Sequence, residues 1–251
     1  MSHQARKRFG QNFLVDDQIV NRIVSTISPK KSDNIVEIGP GKGALTFPLL
    51  EHLDHLSVIE IDRDLISLLK LKKQDKLTIY EADALKFDYG LISNNLRIVG
   101  NLPYNISSPL LFHLLSRKNQ IIDMTFMLQK EVVDRIVAKH GSKTYGRLSV
   151  MMQTFFEVES MFTVPKESFD PQPKIESAIL YLKTRTKPLT ENTKLLEKIV
   201  KVSFSQRRKT LKNCLKSILS QEQTEIDLSQ RAEMLSVESF ITLMKDYEKQ
   251  N

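Results

Sequence analysis

Among 251 residues there is one cysteine, Cys214, so no internal disulfide can form and a cysteine-cluster zinc site is excluded. The five histidines, His3, His52, His55, His113 and His140, show no metal-ligand spacing, and no metal is expected. No apolar run approaches the roughly 18 to 20 residues of a membrane span, and no signal-peptide core follows the basic N-terminus. A membrane partner is therefore not expected, and the expected compartment is the cytoplasm. Internal repeats and low-complexity tracts are also missing, which leaves a soluble globular chain of one large domain, or of one domain plus a small one. Acidic residues are the minority: 30 Asp and Glu against 37 Lys and Arg give a formal charge of +7, a modest pointer to a polyanionic partner.

What is present begins to resolve at residue 34. Asn34-Ile35-Val36-Glu37-Ile38 reads as a strand, Gly39-Pro40-Gly41-Lys42-Gly43 as a turn, and Leu45, Leu49, Leu50 and Leu53 as a helix stripe. This is the opening of a nucleotide-binding α/β unit, with glycines that let a ligand approach the backbone. The dinucleotide fingerprint is G-x-G-x-x-G, whereas this turn is G-x-G-x-G with an acid, Glu37, inside the strand. That acid disfavours a phosphate and can face the cationic amino-acid end of S-adenosylmethionine. A second strand, Leu56 to Ile59, ends at Glu60, about twenty residues past the first glycine, where a carboxylate can accept ribose hydroxyls. A third, Leu77 to Tyr80, is followed by Asp83, placed to accept from an adenine amine. Each acid taken alone reads as well as a solvated helix-start charge. The series Gly39, Glu60, Asp83, Asn101, with a polar or turn residue after each successive strand, is what a Rossmann-like methyltransferase would show.

Asn101-Leu102-Pro103-Tyr104 follows the apolar run Leu96-Arg97-Ile98-Val99-Gly100, at the carboxyl end of an expected buried parallel strand. Its groups suit the exocyclic amine of a nucleobase. The Asn101 carboxamide oxygen and the Leu102 carbonyl can accept both amine hydrogens, Pro103 restricts the backbone, and Tyr104 offers a stacking face. Holding both hydrogens helps localise a lone pair that is otherwise delocalised into the ring. An isolated tetrapeptide of this kind is equally compatible with a plain proline turn.

The rest of the chain frames these motifs. The basic cluster Arg6, Lys7 and Arg8 precedes Phe9 to Leu14, and Asp16 or Asp17 caps a helix with the stripe Ile19, Ile23, Val24 and Ile27, ending at Ser28-Pro29. Ile122 to Leu128 reads as a fifth strand, with Met124 and Met127 in the core. The helix after it carries Lys130, Arg135, Lys139 and His140. Lys143 and Arg147 are candidate phosphate contacts. Phe155 to Val164 and Ile175 to Leu182 read as closing strands of a seven-stranded, mostly parallel sheet. A polar linker from Thr184 to Thr190 separates residues 1–184 from 185–251, where everything reads as helix, including a basic knot with Arg207 and Arg208 that either faces RNA or docks the domains. Cys214 lies on an apolar helix face as inert core.

Gly10-Gln11-Asn12-Phe13-Leu14, Glu37 to Gly43, Asn101 to Ser107 and Phe169-Asp170-Pro171-Gln172-Pro173-Lys174 together resemble the KsgA-type rRNA adenine dimethyltransferases. The likeness continues through Gln129 to Glu131, Gly141 to Val150 and Phe204 to Leu211. It implies a class I methyltransferase fold, α/β and Rossmann-like, with a small all-helical C-terminal domain. It also implies two methyl transfers from S-adenosylmethionine to each of two adjacent adenosines, in a hairpin loop near the 3′ end of small-subunit rRNA. The partner would be that rRNA within a 30S assembly intermediate, and the protein a monomer. Carried over residue by residue, cofactor binding falls on Asn12, Leu14, Gly39, Glu60, Asp83 and Asn101. The target-base and catalytic site falls on Asn101, Leu102, Pro103, Tyr104 and Phe169. Candidate RNA contacts, read from their charge rather than carried over, are Arg6, Lys7, Arg8, Lys143, Arg147, Arg207 and Arg208. Pro171 and Pro173 stiffen the loop carrying Phe169, so an aromatic opposite Tyr104 could clamp an extruded adenine, each stacking contact being worth roughly 1–3 kcal/mol. A buried loop aromatic is the other reading of Phe169. Rival functions are a large-subunit enzyme of the macrolide-resistance type, a ribosome-assembly factor whose binding matters more than its catalysis, an NAD-dependent oxidoreductase and a DNA adenine methyltransferase.

Overall fold

The computed structural model describes residues 12–72 and 74–250; Arg6, Lys7 and Arg8 lie outside the described residues. The chain falls into two compact units. One runs to Val133 and resumes over Glu159–Lys183; the other takes Asp134–Val158 and the chain from Thr184 onward. The division is not a single cut, because 134–158 groups with the C-terminal helices.

The first unit opens on a two-residue strand, β1 (Phe13–Leu14), and α1 (Asp17–Ile27). Asp16 is the N-cap: its Oδ1 accepts from the Gln18 and Ile19 amides at 3.0 and 3.2 Å, satisfying two of the helix's orphan donors. Val20, Ile23, Val24 and Ile27 are its buried stripe. Then follow β2 (Asn34–Ile38), α2 (Thr46–His52), β3 (Leu56–Glu60), α3 (Arg63–Leu71), β4 (Leu77–Glu81), β5 (Leu96–Asn101), α4 (Ser107–Leu115) and β6 (Ile121–Gln129). After α5 (Lys130–Val137) and α6 (Arg147–Phe155) come β7 (Phe156–Val164), β8 (Phe169–Asp170) and β9 (Ser177–Thr184).

Seven of these strands form one sheet in the order β4-β3-β2-β5-β6-β9-β7. The five from β2 to β6 are parallel to their neighbours and β9 runs antiparallel to β6. This is the seven-stranded Rossmann-like architecture expected from the sequence. Strands β2, β3 and β5 are buried nearly throughout, which is why they read as continuous apolar runs rather than alternating ones. Ile35, Val58, Val99, Met127 and Ile179 of the sheet pack with the α1 stripe and with Leu49 and Leu50 of α2. Burying such an aliphatic side chain contributes roughly 1.5–3 kcal/mol. The chain leaves β2 toward β3 and returns to its other side at β5, so strand order reverses between β2 and β5. Ligands of open α/β sheets bind at the carboxyl ends of the strands at such a switch point.

The second unit packs α6 with α7 (Thr193–Ser203), α8 (Leu211–Leu215) and α9 (Val237–Glu248). Tyr145 packs edge-on against Phe204, and Phe204 lies tilted against Phe240, with ring centroids 6.3 and 5.5 Å apart. Three expectations need correction. The helix after β6 ends at Val137, before Lys139 and His140, and Phe155 closes α6 instead of opening a strand. The chain after Thr190 is not helical throughout: 216–236 is mostly turns and single 3₁₀ turns. There the Thr224 and Asp227 side chains accept from the Ile226 and Ser229 amides, offering the backbone an alternative to the helical bond. Among the described residues, no helix is long and apolar enough to cross a membrane, and no group of three or more His, Cys, Asp or Glu could hold a metal ion.

Candidate active site

The turn after β2 needs its glycines. Gly39 and Gly41 have φ of +67° and +58°, the left-handed region, and a Cβ on Gly41 would meet the Phe13 ring at 3.3 Å. Around the turn opens a cleft of about 280 Å³, lined by Asn12, Phe13 and Leu14, by Glu37, Glu60 and Asp83, and by Asn101 at the end of β5 with Leu102 to Ile106 after it. Glu37 is buried and accepts from Thr46 Oγ1 at 2.6 Å. Burial pushes its carboxyl up to about 7, the Glu60 charge adding to the rise and the Thr46 hydroxyl opposing it. Glu60 is also raised, chiefly by burial, against the pull of the amides that donate to it. Its Oε1 accepts from Ile61 and Asp62 at 2.8 and 2.9 Å. Asp83 Oδ1 accepts from the Leu85 amide at 2.9 Å. Two buried carboxyls beside an open glycine backbone suit a cationic, hydroxyl-bearing ligand and disfavour a pyrophosphate.

Across the cleft, Asn101 Nδ2 donates to the Asn12 carbonyl at 3.1 Å. Only the amino end of a carboxamide can donate to a carbonyl, so this bond decides that Oδ1 is the end turned from Asn12. The Leu102 amide donates to the Met127 carbonyl at 3.1 Å, and the Pro103 carbonyl accepts from the Ile106 amide and from Ser107 Oγ, both at 3.1 Å. The tetrapeptide is thereby tied at both ends, to β6 and to α4. Tyr104 is half-buried, and its phenol shares a 2.8 Å hydrogen bond with Ser177 Oγ, the first residue of β9. Burial holds that phenol above its ordinary range, the Ser177 bond opposing, so it is neutral at pH 7.

Asn12, Leu14, Gly39, Glu60, Asp83 and Asn101 to Tyr104, singled out from the sequence, all line this one cleft. Phe169 is placed differently from the expected clamp. It is 2 % exposed, is not among the residues lining the cleft, and packs in the apolar cluster with Leu14, its partner in the β1–β8 ribbon. Ribbon pairing turns the ring inward, so the buried-aromatic reading is the one realised. In the second unit, Lys143, Arg207 and Arg208 are exposed, and Arg207 Nη2 donates to the Lys143 carbonyl at 2.7 Å. Arg147 is engaged by the Glu197 carboxylate at 2.5 Å. Sequence reasoning missed Thr46, Ser177 and the Asn12 carbonyl. Ser177 and the Asn12 carbonyl act through partners 73 and 89 residues away, and Thr46 reaches Glu37 across the glycine turn, nine residues off, where no motif marks it.

The whole chain has relatives. A family model described as ribosomal RNA adenine dimethylase matches residues 2–249. The ribosomal RNA small subunit methyltransferase A of Methylobacillus flagellatus is 53 % identical, over 97 % of this chain and 98 % of that protein. The crystal structure of a dimethyladenosine transferase from Plasmodium falciparum superposes with a TM-score of 0.83 at 27 % identity, covering 95 % of this chain and 98 % of that one. That of the 23S rRNA methyltransferase ErmE gives 0.75 at 26 % identity, over 94 % and 100 %. With a family match and half-identical relatives spanning nearly every residue, this chain belongs to the ribosomal RNA adenine dimethylase family.

Proposed function

We propose that this protein dimethylates the exocyclic amine of two adjacent adenosines in the loop of the 3′-terminal hairpin of small-subunit rRNA, using S-adenosylmethionine and acting on a 30S assembly intermediate. The observation that carries this reading is the Asn101 amide, oriented by the Asn12 carbonyl so that its oxygen is the end left to accept an amine hydrogen. The small-subunit assignment is supported by relatives at 53 % identity named for that subunit, against 26 % for the large-subunit enzyme of similar fold.

The residues fit the cofactor. Glu37 would face its cationic end, Glu60 its ribose hydroxyls and Asp83 its adenine amine, with Gly39 and Gly41 allowing close approach. Bound there, S-adenosylmethionine supplies an electrophilic methyl: the amine nitrogen takes it as the carbon–sulfur pair returns to sulfur, and one amine proton leaves to water. The chain's own groups do the rest. Asn101 Oδ1 and the Leu102 carbonyl hold the amine hydrogens and draw the lone pair out of conjugation. Tyr104 stacks the base, worth roughly 1–3 kcal/mol, which offsets the cost of extruding it from a loop. Phe169 supports the Leu14 side of the cleft from beneath. Lys143, Arg207 and Arg208, with Arg6, Lys7 and Arg8, meet backbone phosphates, and Arg147 does so while shared with Glu197.

The test is incubation with under-methylated 30S particles and S-adenosylmethionine, followed by mass-spectrometric mapping. Two adjacent dimethyladenosines near the 3′ end of small-subunit rRNA are expected. Modification of large-subunit rRNA alone, or none by protein that binds the cofactor, would overturn the assignment.

A further inference from the structure

We propose that Ser177 is a positioning residue for the second methyl transfer: its hydroxyl, by holding the Tyr104 phenol, fixes the aromatic face on which an adenosine with one remaining N–H is oriented. This rests on the reading of Tyr104 as the base platform given above. The topology explains why a serine so far along the chain reaches the site. Parallel strands bring their last residues to the ligand end of the sheet, and an antiparallel strand brings its first. Ser177 opens β9 and pairs with Gln129, the last residue of β6, while the adjacent Glu176 carbonyl accepts from the Lys130 amide at 3.0 Å. Ser177 is therefore fully buried on regular strand backbone, whereas Tyr104 sits half-buried on the turn between β5 and α4. The 2.8 Å bond ties the less constrained residue to the more constrained one.

The two transfers depend on that tie unequally. Each transfer forms an N–CH₃ bond as the methyl's bond to sulfur breaks, the electron pair staying on sulfur and one amine proton going to water. Before the first, the amine has two hydrogens for Asn101 Oδ1 and the Leu102 carbonyl. Before the second it has one, so one acceptor loses its donor and a hydrogen bond no longer orients the base. Stacking on Tyr104 then carries a larger share of the alignment. A loosened ring should slow the second transfer more than the first.

The experiment follows mono- and dimethyladenosine over time on under-methylated 30S particles with the full chain and its Ser177→Ala, Tyr104→Phe and doubly substituted forms. Tyr104→Phe keeps the ring and removes the tie. Each single change should slow the second transfer by roughly threefold to tenfold, with monomethyladenosine accumulating, and the double should be no slower than either. A second readout needs no turnover: a hairpin RNA carrying 2-aminopurine at the target position should be less quenched by both single variants than by the parent, while calorimetric affinity for S-adenosylmethionine holds. Equal slowing of both transfers, unchanged quenching, or additive effects in the double would overturn the proposal. Tyr104→Ala separates it from the reading beneath it. If that variant transfers both methyls as the parent does, the platform itself fails; if it is crippled while Ser177→Ala matches the parent, only the tie fails.

Discussion

At the amino end of the central strands, Arg97 on β5 lies opposite Asp123 on β6, its Nε 3.0 and 3.1 Å from the two carboxylate oxygens, and its Nη1 is 2.7 Å from Asp33 just before β2. Nη2 donates to the Ile27 carbonyl at the end of α1 at 2.7 Å. Burial acts to lower the guanidinium's pKa, and the bonds to Asp123 and Asp33 overcome it, so the net shift is upward. At the carboxyl end of the same strands, Glu37 and Glu60 accept from a hydroxyl and main-chain amides, and both are raised, chiefly by burial. Buried charge at one end is matched inside the chain and pins strands to helix. At the other, burial holds two carboxyls raised beside the cleft, where a cationic ligand would complement them.

Breaking the matched end should have the largest effect. Arg97→Met leaves Asp33 and Asp123 without their cation, and urea denaturation at pH 7 should show a loss of about 3–5 kcal/mol, with cofactor affinity of the folded fraction unchanged. Next comes the site itself. Asn101→Ala should lower methyl transfer by roughly 10²–10³-fold without moving the melting temperature appreciably, because it removes an acceptor that acts on the amine during transfer. An active Asn101→Ala that still binds cofactor would dissolve the distinction between the two ends.

Glu37→Gln sharpens the comparison by sign. The folded Glu37 pKa, about 7, lies above the ordinary 4.5, so the folded state holds more protons than the unfolded one between those values. Stability from this group is present below pH 4.5 and is lost as pH rises through about 7, a cost of about 3 kcal/mol by pH 8. The cofactor-free Glu37→Gln variant should therefore be more stable than the parent at pH 8 and little different at pH 5, the reverse of Arg97→Met. In the parent, cofactor affinity should rise as pH passes 7 and the carboxylate forms; in Glu37→Gln calorimetry should find that dependence flattened. The smallest effect is expected where the β1–β8 ribbon is latched. Ser168 Oγ donates to Asp16 Oδ2 at 2.9 Å, and Ser168→Ala should weaken cofactor binding by roughly twofold to fivefold through the loosened Phe13–Leu14 strand.

The strands were legible because burial on both faces forces continuous apolar runs; β2, β3 and β5 lie within a residue of their expected bounds. Glu37, Glu60 and Asn101 were legible because each stands within or at the end of such a run, and Asp83 because it follows the half-buried β4. Arg97 was not, since inside an apolar strand nothing marks it as the hub of a network reaching Asp33, Asp123 and Ile27. Nor was the fate of Phe169. Proline-stiffened loops read equally as presenting or burying an aromatic, and the choice was made by pairing with Leu14. The helical reading of 216–236 failed where Thr224 and Asp227 bond their own backbone.

The order of residues along the chain by itself determined which chemical groups arrive at the ligand end of the sheet: a glycine turn, two glutamates, an aspartate and an asparagine, each set there by the parallel strand that carries or precedes it. Only the tertiary structure decided how those groups are turned. The amide of Asn101 is oriented by a carbonyl 89 residues away and the ring of Tyr104 by a hydroxyl 73 residues away. Hydrogen-bond direction depends on partners that only the folded chain brings to 3.1 and 2.8 Å, and no local pattern encodes it.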